Sequence, residues 1–190
     1  MDVMDRLRDP DRMPSSTLTS PARPGLAPLA DRIRACTLRT TDPHETARLV
    51  AETLEQLRPD VTTLLTEDER AGSPDGYTGH TLHTEADFSI LAVVWRPGQI
   101  TEIHDHIVWC SFLIMQGAET ETLYELDGDR LREAGTTISP AGSASAAAPP
   151  DDIHRVHNTG DEIAITLHVY GADLSEDGTS VRRTYAEPAG

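Results

Sequence analysis

The chain has 190 residues, enough for one domain that buries a hydrophobic core without disulfides or a structural metal. Thirty-two acidic residues against sixteen basic ones give a formal net charge of −16, which disfavours nucleic acids and anionic membranes as partners. All sixteen basic residues are arginine, which excludes a Schiff-base or P-loop lysine. The cysteines, Cys36 and Cys110, are too few for a disulfide framework or a cysteine-based zinc site. No apolar run approaches the ~18 residues that span a bilayer, so we expect a cytoplasmic protein.

The first part of the chain is predicted to be a tail followed by helices. Residues 1–25 are polar, contain several prolines and show no hydrophobic period, so we expect a flexible tail before a single domain over residues 26–190. Apolar residues at helical spacing predict helices over residues 26–37 and 43–57. The second follows an Asp-Pro start signal, and a short helix is expected near residues 61–70.

From residue 77 the pattern changes to short apolar runs that are typical of β-strands. The predicted strands are Phe88–Trp95, Thr101–His106, Trp109–Met115, Glu119–Leu126 and Ile163–Tyr170. We interpret the low-complexity stretch Ser139–Pro150 as an ordered crossing over a barrel, because histidine motifs lie on both sides of it. A helical segment over residues 26–70 and strands over residues 77–185 predict a mainly β fold, a small antiparallel jelly-roll barrel with an N-terminal helical cover.

Two histidines in one predicted strand are candidates for metal ligands. His104 and His106 flank Asp105, and residues i and i+2 of a strand project from the same face. Their imidazoles could therefore fill two adjacent positions on one metal ion. The alternative is that the pair merely forms part of an exposed polar face.

The surrounding residues favour the metal site, because two spaced motifs resemble those of the cupins. The motifs are Gly98-x5-His104-x-His106-x3-Cys110-x6-Gly117 and Pro149-x4-His154-x3-Asn158. Cys110 stands where the cupins usually have a glutamate ligand. The resemblance implies a metal held by His104, His106 and His154.

Three neutral imidazoles leave the charge of a divalent ion uncompensated and several coordination positions open, as in catalytic sites. Imidazole suits iron, copper, nickel and zinc, so the ligands alone do not select the metal. A site with open positions and uncompensated charge suits an anionic bidentate substrate together with O₂. We therefore expect one Fe(II) per chain.

The last predicted strand has a second polar face. Thr166, His168 and Tyr170 alternate with three apolar residues, so they share one side of the strand. Inside a barrel these groups would need mutual hydrogen bonds, which would bring the Tyr170 phenol to a substrate or to O₂. The alternative is a half-buried strand whose polar side faces water. Cys110 is either a small core residue or a neighbour of the metal.

The sequence resembles the thiol dioxygenases, the cupins that include cysteine dioxygenase and 3-mercaptopropionate dioxygenase. The matching text is FSILAVVWRPGQITEIHDHIVWCSFLIMQGAE, DIHRVHN, TLHVYGADL and SVRRTY, within Tyr77–Tyr185. It is most similar to the bacterial branch, in which a tryptophan follows the HDH motif as Trp109 does here. We expect Trp109 to form a wall of the substrate cavity.

This resemblance implies mononuclear Fe(II) on the three histidines and O₂-dependent conversion of a thiol to a sulfinate without an external reductant. Thr166, His168 and Tyr170 correspond to the family's Ser–His–Tyr network, with threonine in place of serine. Cysteine dioxygenases carry a cysteine that crosslinks to this tyrosine, and the bacterial branch has glycine there. With both Cys110 and Tyr170 present, the resemblance permits a crosslink between them.

The sequence departs from the family at the group that anchors the substrate carboxylate. Gly79 stands where the family has an arginine or glutamine, and glycine cannot bind a carboxylate. Arg183 matches a carboxylate-binding arginine of the bacterial branch, with Arg182 beside it, but three extra residues around Ser175–Gly178 shift the preceding loop. Either Arg183 anchors the substrate alone or the pocket has opened for a larger thiol. The alternative is that both arginines are ordinary surface charges.

We therefore expect a monomeric thiol dioxygenase whose partners are a small thiol and O₂. Two alternatives stay open. The first, for which Gly79 is the reason, is a cupin oxygenase or isomerase that acts on a non-thiol specialised metabolite. The second is a non-catalytic cupin that senses a metal or a small molecule. The acidic composition and the lack of an evident helix-turn-helix motif disfavour a DNA-binding regulator.

Overall fold

Four helices precede the strands in the computed structural model, which describes residues 22–150, 152–175 and 179–188. They are α1 (Leu26–Thr37), α2 (Pro43–Leu57), α3 (Val61–Leu64) and α4 (Glu67–Ala71). The short helix predicted near residues 61–70 is thus divided into two. The division falls at Thr66, whose side chain caps α4 in a reciprocal capping box with Glu69. No helix in the described ranges is long and apolar enough to cross a membrane.

The predicted N-terminal tail is described only at its end. Residues 1–21 lie outside the described residues. Arg23, within the predicted tail, forms an ion pair with Glu69 of α4, with 2.6 Å between Nη2 and Oε1. It also donates a hydrogen bond to the backbone oxygen of Leu64. The chain is therefore attached to the helical segment from Arg23 onwards.

The described residues contain ten strands in two antiparallel sheets. The strands are β1 (Thr78–Glu85), β2 (Phe88–Trp95), β3 (Ile103–His106), β4 (Cys110–Gln116), β5 (Ala118–Asp127), β6 (Arg130–Pro140), β7 (Ala144–Ala147), β8 (His154–His157), β9 (Ala164–Tyr170) and β10 (Val181–Tyr185). The first sheet has the order β1-β2-β9-β4-β7 and the second the order β10-β3-β8-β5-β6. This architecture confirms the predicted fold, a mainly β cupin with an N-terminal helical segment.

The central strands of the first sheet are buried on both faces, as the apolar run of β2 predicts. Ile90, Ala92 and Val94 belong to the hydrophobic core that includes the inner residues of α1 and α2. The alternate residues of β2 point the other way and line a cavity between the sheets. The Ser111 hydroxyl of β4 donates to the backbone oxygen of Ala47 in α2, with an O···O distance of 2.7 Å. The helices thus cover the outer face of this sheet and leave its inner face to the cavity.

The low-complexity stretch Ser139–Pro150 is an ordered crossing, as predicted. It includes the end of β6, which belongs to the second sheet, and β7, which belongs to the first. Within it, Ala147 of β7 is paired with Cys110 of β4. Small residues suit this position because α2 packs closely against β7.

Trp109 packs over the end of β9. The backbone oxygen of Trp109 accepts a hydrogen bond from Gly171 N at 3.0 Å. A Cβ atom built on Gly171 would lie 2.1 Å from the indole Nε1 of Trp109. The indole is buried and belongs to the core beneath the helices. The absence of a side chain at Gly171 therefore allows Trp109 to close the end of the first sheet.

We expect Gly171→Ala to destabilise the protein by about 1–3 kcal/mol, because the buried indole must move to admit a methyl group. Thermal unfolding measures the effect, which corresponds to ~2–4 °C in melting temperature for each kcal/mol. Gly135→Ala in β6 is the matched control, because a Cβ there meets no atom within 4 Å. Equal melting temperatures for the two variants would contradict this account of Trp109.

Candidate metal centre

Three histidines from two paired strands meet between the sheets. His104 and His106 lie on β3, His154 begins β8, and His104 is paired directly with His154. All three are buried. Each ring offers one ligand atom, and these atoms lie within 4.8 Å of one another. The structure therefore brings together the three residues that the spaced motifs predict.

Each imidazole is oriented through its Nδ1 atom. The acceptors are the backbone oxygen of Glu102 for His104 at 2.9 Å, Oδ2 of Asp152 for His106 at 3.0 Å, and Oε1 of Glu121 for His154 at 2.7 Å. Because a carbonyl or carboxylate oxygen can only accept, these contacts assign the ring proton of each neutral histidine to Nδ1. Every Nε2 atom then presents a lone pair.

The donor set fits a bound metal ion. The Nε2 atoms of His104 and His154 are only 3.2 Å apart, although neither carries a proton when Nδ1 is the donor. Two lone pairs at this distance repel each other, and a cation that both can coordinate removes the repulsion. Histidine ligands in metalloproteins commonly donate Nδ1–H to a carboxylate or carbonyl in this way.

The charges around the cluster also favour a cation. Burial and the neighbouring His154 lower the pKa of His104 to about 4, so this ring is neutral at pH 7. Burial opposes ionisation of Asp152, but hydrogen bonds from the ring and backbone N–H of His106 outweigh it and lower the pKa of this carboxyl. Glu119 is also buried, and burial followed by the charge of Glu121 raises its pKa to about 8. The carboxylates of Asp152 and Glu121 thus supply negative charge, whereas Glu119 is largely neutral.

Sequence reasoning did not find these carboxylates. Asp152 stands two residues before His154, but a neighbouring Asp gives no sign of which ring it contacts. Glu121 reaches His154 only because β5 and β8 are paired, a long-range relation that one sequence does not reveal. The charge of a bound ion, expected to be uncompensated, is partly offset by these two groups.

The second polar face on β9 points toward the same cluster. The Thr166 hydroxyl lies 2.8 Å from Nε2 of His168, and Nδ1 of His168 lies 3.3 Å from the Tyr170 hydroxyl. The Trp95 indole N–H donates to Thr166 Oγ1 at 3.0 Å. The Tyr170 ring centroid is 5.8 Å from that of His106. The predicted hydrogen-bond network is therefore present, with Trp95 as an unpredicted member.

Burial keeps the groups of this network uncharged. Burial and neighbouring imidazoles lower the pKa of His168 to about 3, so its ring is neutral. Burial, with the nearby Cys110, raises the pKa of Tyr170 well above its usual value, so the phenol keeps its proton. A protonated phenol beside His106 can donate a hydrogen bond into the cavity.

Cys110 lies in the cavity wall beside this network. It is paired across the sheet with Tyr170, and its Sγ is 3.8 Å from Nδ1 of His168. Side chains of paired residues in antiparallel strands have Cβ atoms about 5 Å apart. Burial raises the pKa of the Cys110 thiol, so it is protonated at neutral pH. Of the two alternatives for Cys110, the structure shows the one near the histidine cluster.

The three histidines, His168 and Tyr170 open into one cavity, here called the histidine cavity, with a volume of about 540 Å³. Its walls come from both sheets and include Leu91 and Val93 of β2. Gly79 lies in the wall at the position expected for a carboxylate anchor. Apolar walls that limit water around a few converging polar groups are typical of small-molecule sites.

Arg182 and Arg183 do not reach this cavity. Both guanidinium groups bind the buried carboxylate of Asp105, with 3.2 Å between Arg183 Nε and Oδ2. Arg183 is paired with Asp105 across β10 and β3, so both project from the face opposite His104 and His106. Arg182 and Arg183 line a separate cavity on that face. This placement contradicts the expectation that these arginines bind a substrate beside the metal.

Trp109 also departs from its predicted place. It was expected to form a wall of the substrate cavity, but it packs over Gly171 in the core beneath the helices. It is absent from the described residues that line the histidine cavity. The aromatic part of the cavity wall is formed instead by Trp95 and Tyr77, whose ring centroids are 4.5 Å apart. Residues 176–178, the predicted insertion before Arg183, lie outside the described residues.

Two antiparallel sheets that enclose a three-histidine cluster define a cupin with a metal-binding site. The family model for cysteine dioxygenase type I matches residues 71–177, more than half of the chain. The chain therefore belongs to the cysteine dioxygenase type I family.

Several solved structures resemble the chain at low sequence identity. A sugar phosphate isomerase of the cupin superfamily from Silicibacter pomeroyi is 21% identical, with a TM-score of 0.42, over 51% of this chain and 60% of that one. The match thus spans less than two thirds of that protein. A protein with a double-stranded β-helix domain from Klebsiella pneumoniae is 20% identical, with a TM-score of 0.46, over 57% of this chain and 89% of that one.

We expect Glu121→Gln to weaken metal binding by about 10- to 100-fold, the usual cost of losing a carboxylate that orients a histidine ligand. Competition with a chelator measures the metal affinity of the full-length protein. Glu125→Gln, at an exposed position on the same strand, is the matched control and should bind like the wild type. Equal affinities for all three proteins would show that Glu121 does not support the centre.

Proposed function

We propose that the protein is a non-haem iron thiol dioxygenase that adds both atoms of O₂ to a small thiol and forms a sulfinate. The observation that carries the proposal is the convergence of three Nε2 lone pairs with the Tyr170 phenol in one cavity. Membership of the cysteine dioxygenase type I family supports the reaction class. His104, His106 and His154 would hold one Fe(II) per chain.

The reaction needs no further reductant. Conversion of a thiol to a sulfinic acid removes four electrons from sulfur, and reduction of O₂ to the level of the two new oxygen atoms consumes four. Fe(II), when bound, would supply the redox chemistry that joins thiol and O₂. The protein supplies the geometry, the proton positions and the exclusion of water.

Tyr170 is the residue of this chain that we assign to the reacting atoms. Its ring centroid lies 5.8 Å from that of His106, and its phenol keeps its proton and would donate a hydrogen bond to a reactant in the cavity. His168 holds the phenol oxygen, and Thr166 holds His168. Thr166 and His168 are buried, whereas Tyr170 is half-buried and lines the cavity, so the buried part of the network fixes a phenol that a ligand can reach.

Cys110 is placed to affect the same phenol. Its pairing with Tyr170 puts the thiol beside the aromatic ring, which supports the crosslink that the family resemblance permits. Intact-mass and peptide analysis of protein incubated with Fe(II), thiol and O₂ would detect it as a loss of two hydrogens. The expected monomeric state and cytoplasmic location stay predictions.

Oxygen uptake by protein loaded anaerobically with Fe(II) tests the proposed function. A panel of thiols is offered, and sulfinate is quantified with the O₂ consumed. We expect one O₂ consumed for each sulfinate formed with at least one thiol. Bound iron without uptake for any thiol would refute the proposal and favour a cupin that acts on a non-thiol substrate or acts as a sensor.

We expect Tyr170→Phe to lower turnover by about 100-fold, because it removes the hydrogen-bond donor while leaving the aromatic ring in place. Metal content should be unchanged, because Tyr170 is not a metal ligand in this proposal. Tyr124→Phe is the matched control, since Tyr124 is buried in a different cluster with Ile103 and Ile153. Full turnover in Tyr170→Phe would overturn the role assigned to the phenol.

A further inference from the structure

The described lining of the histidine cavity contains no arginine, and the chain has no lysine. Apart from the histidines, the lining residue with an acidic or basic side chain is Glu102. A thiol that carries a carboxylate would therefore find no cation among these residues to bind it. Desolvation of an unpaired carboxylate is costly, so such a substrate would bind poorly.

The two arginines that the family resemblance suggested as carboxylate anchors are held elsewhere. Arg182 and Arg183 both bind Asp105, whose side chain is fully buried. Tyr185 also donates to the same carboxylate oxygen at 2.7 Å. Because Asp105 projects away from the histidines, moving Arg183 into the cavity would require it to leave a buried ion pair and cross the strand.

Glu102 is positioned at the mouth of the cavity. Its backbone oxygen accepts the Nδ1–H of His104, which fixes its place relative to the cluster. Residues 102, 104 and 106 share one face by strand alternation, so the Glu102 side chain extends on the cavity side. It is exposed, and a carboxylate there attracts a cationic group and repels an anionic one.

The aromatic wall at the mouth also suits a cation. Tyr77 is 47% exposed and packs against the buried Trp95, and both line the cavity. An ammonium group over such a ring is stabilised by its quadrupole. The formal net charge of −16 adds a field that favours cationic over anionic ligands.

Gly79 leaves the wall open. It is paired with Val93, which lines the cavity, so a side chain at residue 79 would project inward. A Cβ there would meet no atom within 4 Å. The space that an anchoring side chain would occupy is therefore available to the substrate.

From this distribution of charge and space we infer that the substrate is an aminothiol without a free carboxylate, and that Glu102 binds its ammonium group. The inference rests on the proposed thiol dioxygenase function and specifies the substrate class of that site. The thiol would face the three histidines, and the ammonium group would lie at the mouth between Glu102 and Tyr77. Aliphatic amines are protonated at neutral pH, so the charge needed for this contact is present.

Matched thiols test the substrate class. Cysteamine, 2-mercaptoethanol and 3-mercaptopropionate differ in the group that follows the same two-carbon thiol, and L-cysteinamide differs from L-cysteine in lacking the carboxylate. We expect kcat/KM for sulfinate formation to fall in the order cysteamine, 2-mercaptoethanol, 3-mercaptopropionate. Cysteinamide should exceed cysteine by about tenfold or more, the scale of removing one unpaired charge from a partly desolvated site.

Glu102→Gln tests the assigned residue. For cysteamine, kcat/KM and binding affinity should both fall about fivefold, the upper scale of an exposed ion pair. The same two quantities for 2-mercaptoethanol should not change, because this thiol has no ammonium group. Affinity is measured by anaerobic calorimetry of thiol binding to the Fe(II)-loaded protein, which does not depend on turnover. Glu55→Gln, at an exposed site on α2, is the control and should behave like the wild type for every thiol.

The outcomes separate the two proposals. Preference for 3-mercaptopropionate over cysteamine, or for cysteine over cysteinamide, would overturn the substrate class while leaving the dioxygenase function in place. Equal losses for cysteamine and 2-mercaptoethanol in Glu102→Gln would show that Glu102 supports the fold of the site and does not bind the amine. Absence of sulfinate with all five thiols would refute the dioxygenase function itself.

Discussion

The candidate metal centre depends on the hydrogen bonds that hold the Nδ1 protons of its three histidines. Each Nδ1 proton is held by a fixed acceptor, and this leaves three Nε2 lone pairs directed at one point. These acceptors are the backbone oxygen of Glu102, just before β3, the Asp152 carboxylate, two residues before β8, and the Glu121 carboxylate on β5. Because β8 is paired with both β3 and β5, the orientation of the rings requires the second sheet to be assembled. The metal site is thus a property of strand pairing as much as of the histidines themselves.

The two sheets make different contributions to the cavity. Both sheets contribute apolar wall residues, but the second sheet supplies the histidine cluster and the first supplies the phenol. Strand β9 links the cavity to the helices, because Ile165, Leu167 and Val169 pack in the core while Thr166, His168 and Tyr170 face the histidines. A buried hydrophobic face therefore fixes the position of a buried polar one, and the helical cover contributes to the site without lining it.

The sequence predicted those features that depend on local periodicity. Alternation placed the polar face of β9, and motif spacing identified His104, His106 and His154. Strands with weak patterns were missed: β6 is almost wholly exposed, and β7 consists of alanine and serine. The contacts of Glu121 and Asp105 were missed because they depend on pairing between distant strands. The misplacement of Arg183 has the same origin, since its distance in sequence from the histidines does not reveal which face of β10 it occupies.

The alternation of residues 102–106 separates the charges of the site. Glu102, His104 and His106 share the cavity side, and Asp105 projects to the other side, where it binds both neighbouring arginines. No cation among the described lining residues then competes with a metal ion for the three lone pairs. The carboxylates of Asp152 and Glu121 offset the charge of a divalent ion from behind its ligands. The site therefore has little electrostatic need for a further anionic group, which is the same conclusion that the acidic mouth of the cavity supports.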